Sequence, residues 1–186
     1  MEATRARTAS RQDAFRAVVG EVYEPLQRYL RRRSAPEDVD DLLDEVLLVV
    51  WRRLEDVPAD GALPWAYGVA RRCLANHRRA GQRRTRLLQR VGAGFREPTG
   101  PDWTSEADAA LHRALDRLPE RDREVIRLWA WERLEPREIA AVLDTTHNAV
   151  SVRLGRIQRR LADELSRQDR VPSGQERDGS CEEHGR

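Results

Sequence analysis

At 186 residues the chain has room for one ordinary domain or two small ones, each with a modest core. Charged residues make up 35% of it, yet 34 basic residues against 32 acidic ones leave a formal net charge of only +2. The longest uninterrupted aliphatic and aromatic run, Val46–Trp51, is far short of a bilayer span, and two cysteines, Cys73 and Cys181, offer neither a disulfide framework nor a paired metal site. The opening "MEATRARTASRQD" has no apolar segment of the kind a secretory signal needs, so a cytoplasmic protein without membrane insertion is expected. All the basic residues are arginine. They are also segregated: Pro36–Asp60 holds nine acids and two arginines, whereas Trp65–Arg96 holds nine arginines and no acid. Blocks of opposite sign predict one acidic and one basic surface, the latter fitted to a polyanion.

Helical periodicity runs through the chain and strand alternation is nearly absent. Phe15, Val18, Val19, Val22, Leu26, Tyr29 and Leu30 follow a three-four spacing, with Pro25 expected to kink or restart the helix. "SAPED" reads as the next start, with Ser34 as cap and Pro36 in the first turn. The helix that follows places Val39, Leu42, Leu43, Val46, Leu47, Val50 and Leu54 on one face, and Pro64 opens a third helix after the loop "VPADGALP". "GAGFREPTGPD" has the composition of a flexible tether, which would leave the parts on either side mobile. Further helices are predicted near Ser105–Leu118, Pro119–Trp131, Pro136–Leu143 and Thr146–Leu165. The expected architecture is all-α: a disordered stretch 1–12, a helical domain 13–91, a linker 92–102, a second helical domain 103–166 containing a helix-turn-helix, and a disordered tail 167–186.

The segment "PREIAAVLDTTHNAVSVRLGRIQRRL" reads as a short helix, a corner and a longer helix. Val150, Leu154, Ile157 and Leu161 form a buried stripe on the second, with Thr146 placed to cap it. No acid occurs from Thr145 to Ala162, while Arg153, Arg156, Arg159 and Arg160 do. Short or hydrogen-bonding residues (His147, Asn148, Ser151, Val152) occupy the exposed start. A helix that enters the major groove needs such a buried stripe, a compact N-terminal half and arginines for phosphates. A packed hairpin with a solvated basic face is the competing reading.

In "PWAYGVARRCLANHRRAGQRR" the helical step places Trp65, Arg72, Asn76, Arg79 and Arg83 on one stripe, beside a buried sector of Ala66, Val69, Ala70, Cys73 and Leu74. Arginines headed by an aromatic suit a backbone-tracking, base-stacking surface for single-stranded nucleic acid; a solvated arginine face with Trp65 in the core fits equally. On the acidic helix, Leu48 lies opposite the buried stripe and Val49 at its edge, rimmed by Asp41, Asp44, Glu45 and Arg52, a pattern fitted to a protein partner.

Together these segments resemble an RNA polymerase sigma factor of the extracytoplasmic-function (ECF) type. "VDDLLDEVLLVVWRRL" is similar to that family's helix for the polymerase clamp, and "PWAYGVARRCLANHRR" to its promoter-melting helix, usually W-L-x-x-I-A-R-N. "LDRLPERDREVIRLWAWERLEPREIAAVL" with "NAVSVRLGRIQRRL" is similar to its −35-reading region, so that the resemblance runs from about Asp13 to Leu165. It implies a region-2-like domain at 13–91, a region-4-like domain at 103–166, and no catalytic chemistry or cofactor. The implied partners are core RNA polymerase and promoter DNA, duplex at −35 and melted at −10; an anti-sigma factor is a further partner of such proteins. By position, Leu42, Asp44, Glu45, Leu48 and Arg52 would face the polymerase. Asp60, Gly61, Ala62 and Leu63, with Arg71, Arg72, Asn76 and Arg79, would meet the −10 strand. His147, Asn148, Ser151, Val152 and Arg156 would meet the −35 element, and Arg153 phosphate or the packed interior. The chain departs from the family pattern at Asp44 (usually Gln), Ala66 (Leu), Arg72 (Asn) and Arg133 (commonly Gly), and carries smaller residues than usual at Ser151 and Gly155. A guanidinium at 72 cannot reproduce an amide's paired donor and acceptor, so the −10 preference of better-known relatives does not carry over.

A helix-turn-helix regulator that holds a promoter without recruiting polymerase is the alternative function, and it leaves the acidic helix without a role. An enzyme is disfavoured: the four histidines are scattered with no recurring acid or cysteine partner at ligand spacing, and Cys181 with His184 is a lone pair in the expected tail.

Overall fold

The computed structural model describes residues 2–90 and 115–168, with side chains over 10–84 and 115–164. The linker 92–102, the predicted helix start near Ser105 and the tail beyond 168 lie outside the described residues. Within them the fold is all-helical: α1 (Glu2–Arg31), a 3₁₀ turn (Pro36–Asp38), α2 (Val39–Arg52), a second such turn (Leu54–Asp56), α3 (Ala62–Arg90), α4 (Glu120–Ala130), α5 (Pro136–Leu143) and α6 (His147–Gln168). A helical turn at Leu115–Asp116 precedes α4.

The first three helices pack on one another around a core drawn from their apolar stripes. Val22, Leu26, Tyr29 and Leu30 come from α1, Leu42, Leu43, Val46 and Val50 from α2, and Ala66, Val69, Ala70, Cys73 and Leu74 from α3. α1 continues through Pro25 without restarting, with Val22 and Leu26 buried on either side of it, although Pro25 donates no bond to the turn before. It also runs back to Glu2, through residues expected to be disordered; no Gly or Pro interrupts them, and the Arg11 guanidinium lies 4.9 Å from the Trp51 ring. Nor does Ser34 cap a helix: its hydroxyl donates back to the Leu30 carbonyl (2.9 Å), and α2 starts only at Val39, after the Pro36 turn.

The second unit packs α4, α5 and α6 around Val125, Ile126, Leu128, Leu134, Ile139, Val142, Val150, Leu154 and Ile157. Arg133, where family members commonly carry glycine, adopts φ 56°, the left-handed conformation that glycine takes without a Cβ clash.

The two units touch. α3 packs against α5, and a Cβ built at Gly68 would sit 3.7 Å from the Val142 carbonyl oxygen. Beside that approach lies a polar seam. Arg33, with 2% of its side chain exposed, bonds Glu132 at 2.9 Å and lies 3.4 Å from Glu124, while Arg32 bonds the other Glu132 oxygen at 2.6 Å. The Tyr29 hydroxyl donates to Glu124 (3.1 Å), and the Tyr67 hydroxyl reaches Glu132 at 3.5 Å. Tyr29 packs on Tyr67 with ring centroids 4.9 Å apart, and the Arg33 guanidinium lies 3.7 Å from the Tyr29 ring centre. Burial works against the charge on Arg33, but Glu124 foremost, with Tyr29 and Glu132, outweighs it and holds the guanidinium protonated. Burial, reinforced chiefly by Glu124, pushes the Tyr29 phenol well above its usual range.

Candidate protein and nucleic-acid interfaces

α2 is amphipathic in the expected sense. Its apolar stripe faces α1 and α3, and the opposite face presents Asp40, Asp41, Asp44, Glu45, Leu48 and Arg52. Leu48 is 46% exposed and Val49 half-buried, so the apolar group sits within an acidic surround. Leu42 is a correction: at 1% exposure it belongs to the core and cannot face a partner. The helical step places it with Leu43, Val46 and Val50 rather than with Leu48. Glu45 also lies against Cys73, whose thiol is pushed up to about 11 by burial first and by this carboxylate second.

The −10 candidates divide. Asp60 is exposed in the turn before α3, and Gly61 has φ 131°, a conformation that only glycine adopts readily. Ala62 and Leu63, expected in that loop, are instead the first residues of α3; Ala62 is buried and Leu63 half-buried against the core. An apolar pair at a helix start gains more from packing than from the loop. Trp65 is half-buried, with the Arg53 guanidinium 5.6 Å from its ring centre, so it serves both the core and the surface. Further along α3, Arg71, Arg72, Asn76 and Arg79 are all exposed, the last three on the predicted stripe. Arg79 donates to the Asn76 side-chain oxygen at 2.7 Å and to the Ala75 carbonyl at 3.2 Å, which orders both side chains along the helix.

The corner between α5 and α6 is built locally. Pro136 occupies the first turn of α5, and the Glu138 carboxylate accepts the Glu135 N–H at 2.7 Å. Asp144 ends α5 in the left-handed conformation (φ 53°), and the Thr145 N–H closes on the Ala140 carbonyl at 3.0 Å. The Thr146 hydroxyl accepts the Ala149 N–H at 3.2 Å and caps α6, as its place in the sequence predicts. Val150, Leu154 and Ile157 are buried, which leaves His147, Asn148, Val152 (54% exposed) and Arg156 on the open face. Ser151 is half-buried, 3.4 Å from the His147 ring nitrogen. Arg153 instead turns inward to Asp122 at 3.1 Å and ties α6 to α4.

Sequence reasoning missed the seam between the units. Arg33, Glu124 and Glu132 look like solvated charges in a charge-rich chain, and Tyr67 sits off the arginine stripe. The only local signal is the run Arg31–Arg32–Arg33 at the end of α1.

Comparison with known proteins gives these surfaces a family. Residues 15–84 match the model for sigma-70 region 2, and residues 108–161 that for sigma-70 region 4. The ECF RNA polymerase sigma factor SigF of Caulobacter vibrioides is 33% identical over 147 residues, which cover 77% of this chain and 81% of that protein. SigD of Mycobacterium bovis, another ECF RNA polymerase sigma factor, is 29% identical over 168 residues, covering 84% of this chain and 79% of the relative. Among solved structures, the sigma factor RpoE in complex with the anti-sigma factor NepR from Bartonella quintana shares the fold with a TM-score of 0.58 at 18% identity, covering 82% of this chain and 96% of that one. The chain therefore belongs to the ECF family of RNA polymerase sigma factors, transcription initiation factors without catalytic chemistry of their own.

Proposed function

We propose that this sigma factor divides its work among three exposed faces. The acidic face of α2, with Leu48 at its centre and Asp44, Glu45 and Arg52 around it, docks on core RNA polymerase. Arg71, Arg72, Asn76 and Arg79 on α3, with the Asp60–Gly61 turn, hold the melted −10 strand. His147, Asn148, Ser151, Val152 and Arg156 of α6 read the duplex −35 element, while Arg153 fixes the helix from within. The functional units are the region-2-like stretch 13–91 and the region-4-like stretch 103–166, joined through 92–102. We place the factor in the cytoplasm, with no enzymatic activity and with an anti-sigma factor as its natural restraint.

The observation that carries this reading is α6 itself: its buried stripe leaves a compact, acid-free surface exposed at the N-terminal half, where a groove-reading helix needs it. Run-off transcription with purified core polymerase on fragmented genomic DNA from the source organism tests it. Discrete starts sharing two upstream elements are expected. DNA binding without starts would mean a regulator that does not recruit polymerase. Two variants assign the faces. Leu48→Asp is expected to abolish co-purification with core polymerase and leave DNA contacts intact. Arg156→Ala is expected to weaken binding of the −35 duplex by about 1–3 kcal/mol if it contacts a base.

A further inference from the structure

Val152 is the most exposed large apolar side chain among the described residues, ahead of Leu48, Trp129 and Tyr23. It stands on α6 directly across from the buried stripe of Val150, Leu154 and Ile157, where no other part of the described chain covers it. Local stability does not call for it either, since valine is a weaker helix former than alanine, arginine or glutamate. Its surroundings are polar and free of acid. Asn148 lies one turn before it and Arg156 one turn after, and no Asp or Glu occurs from Thr145 to Ala162. Arg153 is held by Asp122, and Arg159 by the Gly155 carbonyl of its own helix (3.1 Å), whereas Arg156 has no ion pair or hydrogen bond among the described residues. The face is also small beside Val152. A Cβ built at Gly155 would meet nothing within 4 Å, so no contact in the fold requires a glycine there, in mid-helix, where it costs stability relative to alanine. A residue without a side chain lets this face come close to whatever lies against it.

An apolar group ringed by hydrogen-bonding residues needs a matching apolar spot on a polar surface. The major groove of duplex DNA presents one among its donors and acceptors, the C5 methyl of thymine. Branching at Cβ holds a helical valine in one strongly preferred rotamer, so its two methyls are placed before any contact and lose little freedom on meeting a base. A four-residue step rises about 6 Å along a helix and a base pair about 3.4 Å along the duplex. Asn148, Val152 and Arg156 therefore meet bases about two pairs apart. We propose that Val152 is a specificity-determining residue that reads a thymine methyl in the −35 element, between the bases met by Asn148 and Arg156. The inference rests on the assignment of α6 to the −35 duplex and adds a base identity to it.

The test uses the full-length chain assembled with core polymerase, on duplexes carrying the −35 element shared by the mapped transcript starts. Each thymine of that element, on either strand, is replaced in turn by deoxyuridine, which removes the methyl and leaves the pairing edge intact. Competition against a fluorescein-labelled promoter duplex reads the affinity. For wild type, replacement at one position is expected to weaken binding about fourfold, the effect of burying a single methyl-sized group. Val152→Ser is expected to bind the thymine and deoxyuridine duplexes alike. Arg156→Ala is expected to lose affinity for both and keep the fourfold ratio, which separates a methyl contact from general weakening. Wild-type binding indifferent to every replacement would overturn the contact. So would a Val152→Ser holoenzyme that keeps the ratio, or an element without thymine on either strand. In each of these cases discrete starts are still present. Their absence with core polymerase marks the failure of the sigma-factor reading itself, and the contact falls with it.

Discussion

The core of each unit is apolar and comes from helical stripes: Leu26, Val46 and Ala70 in the first, Leu128, Ile139 and Val150 in the second. Where the units meet, a buried seam of guanidinium, carboxylate and phenol runs beside the close approach of Gly68 to Val142. The two kinds of boundary do different jobs. Apolar burial has no competing partner in water and sets what must stay together, whereas a charged seam exchanges its contacts for hydration and sets what is allowed to separate.

The contrast can be broken most forcefully from the core side. Leu128 is fully buried, so Leu128→Ala is expected to cost about 3 kcal/mol in urea unfolding, within the 2–5 range of such truncations. A loss below about 1 kcal/mol would mean that the second unit leans on the seam rather than on its own core. Alkaline pH gives an intermediate effect. Cys73 titrates near 11 in the fold against an ordinary 9.0, so between those values the unfolded chain has released a proton that the folded chain keeps. Stability therefore falls as pH rises through that window, by about 1–2 kcal/mol from this group, and Cys73→Ala should flatten the fall in the urea midpoint. The smallest effect sharpens the seam. A methyl at Gly68 meets the Val142 carbonyl at an ordinary 3.7 Å, so Gly68→Ala should raise stability by about 0.5–1 kcal/mol through helix propensity alone and leave small-angle X-ray scattering unchanged.

What the sequence disclosed follows the same division. The stripes of α1, α2, α3 and α6 were legible because each repeats with the helical period, and the Thr146 cap because the rule for it is local. The exposed faces of α6 and α2 followed as the complements of those stripes. Leu42 corresponds by position to a clamp-facing residue of the family, but its helical phase sets it with Leu43, Val46 and Val50 in the core. Ala62 and Leu63 lie in a stretch with the composition of a loop, whereas Gly61 ends the turn and α3 begins directly after it. The seam left no periodic trace. Arg33 is separated from Glu132 by almost 100 positions, and only the assembled fold shows that their charges meet out of water.

Helix α3 has one further consequence. It is 29 residues long, about 43 Å at the helical rise. Its first half, to Leu74, is gripped by both units, and from Ala75 to Arg84 every residue is exposed. The helix is a lever whose fulcrum lies in the core and whose exposed arm, tied by His77 to Asp38 and by Arg78 to the Arg33 carbonyl, carries Asn76 and Arg79. A tilt of a few degrees where α5 presses on Gly68 is multiplied along that arm into a displacement of ångströms at its tip. The seam thus governs where the arm points.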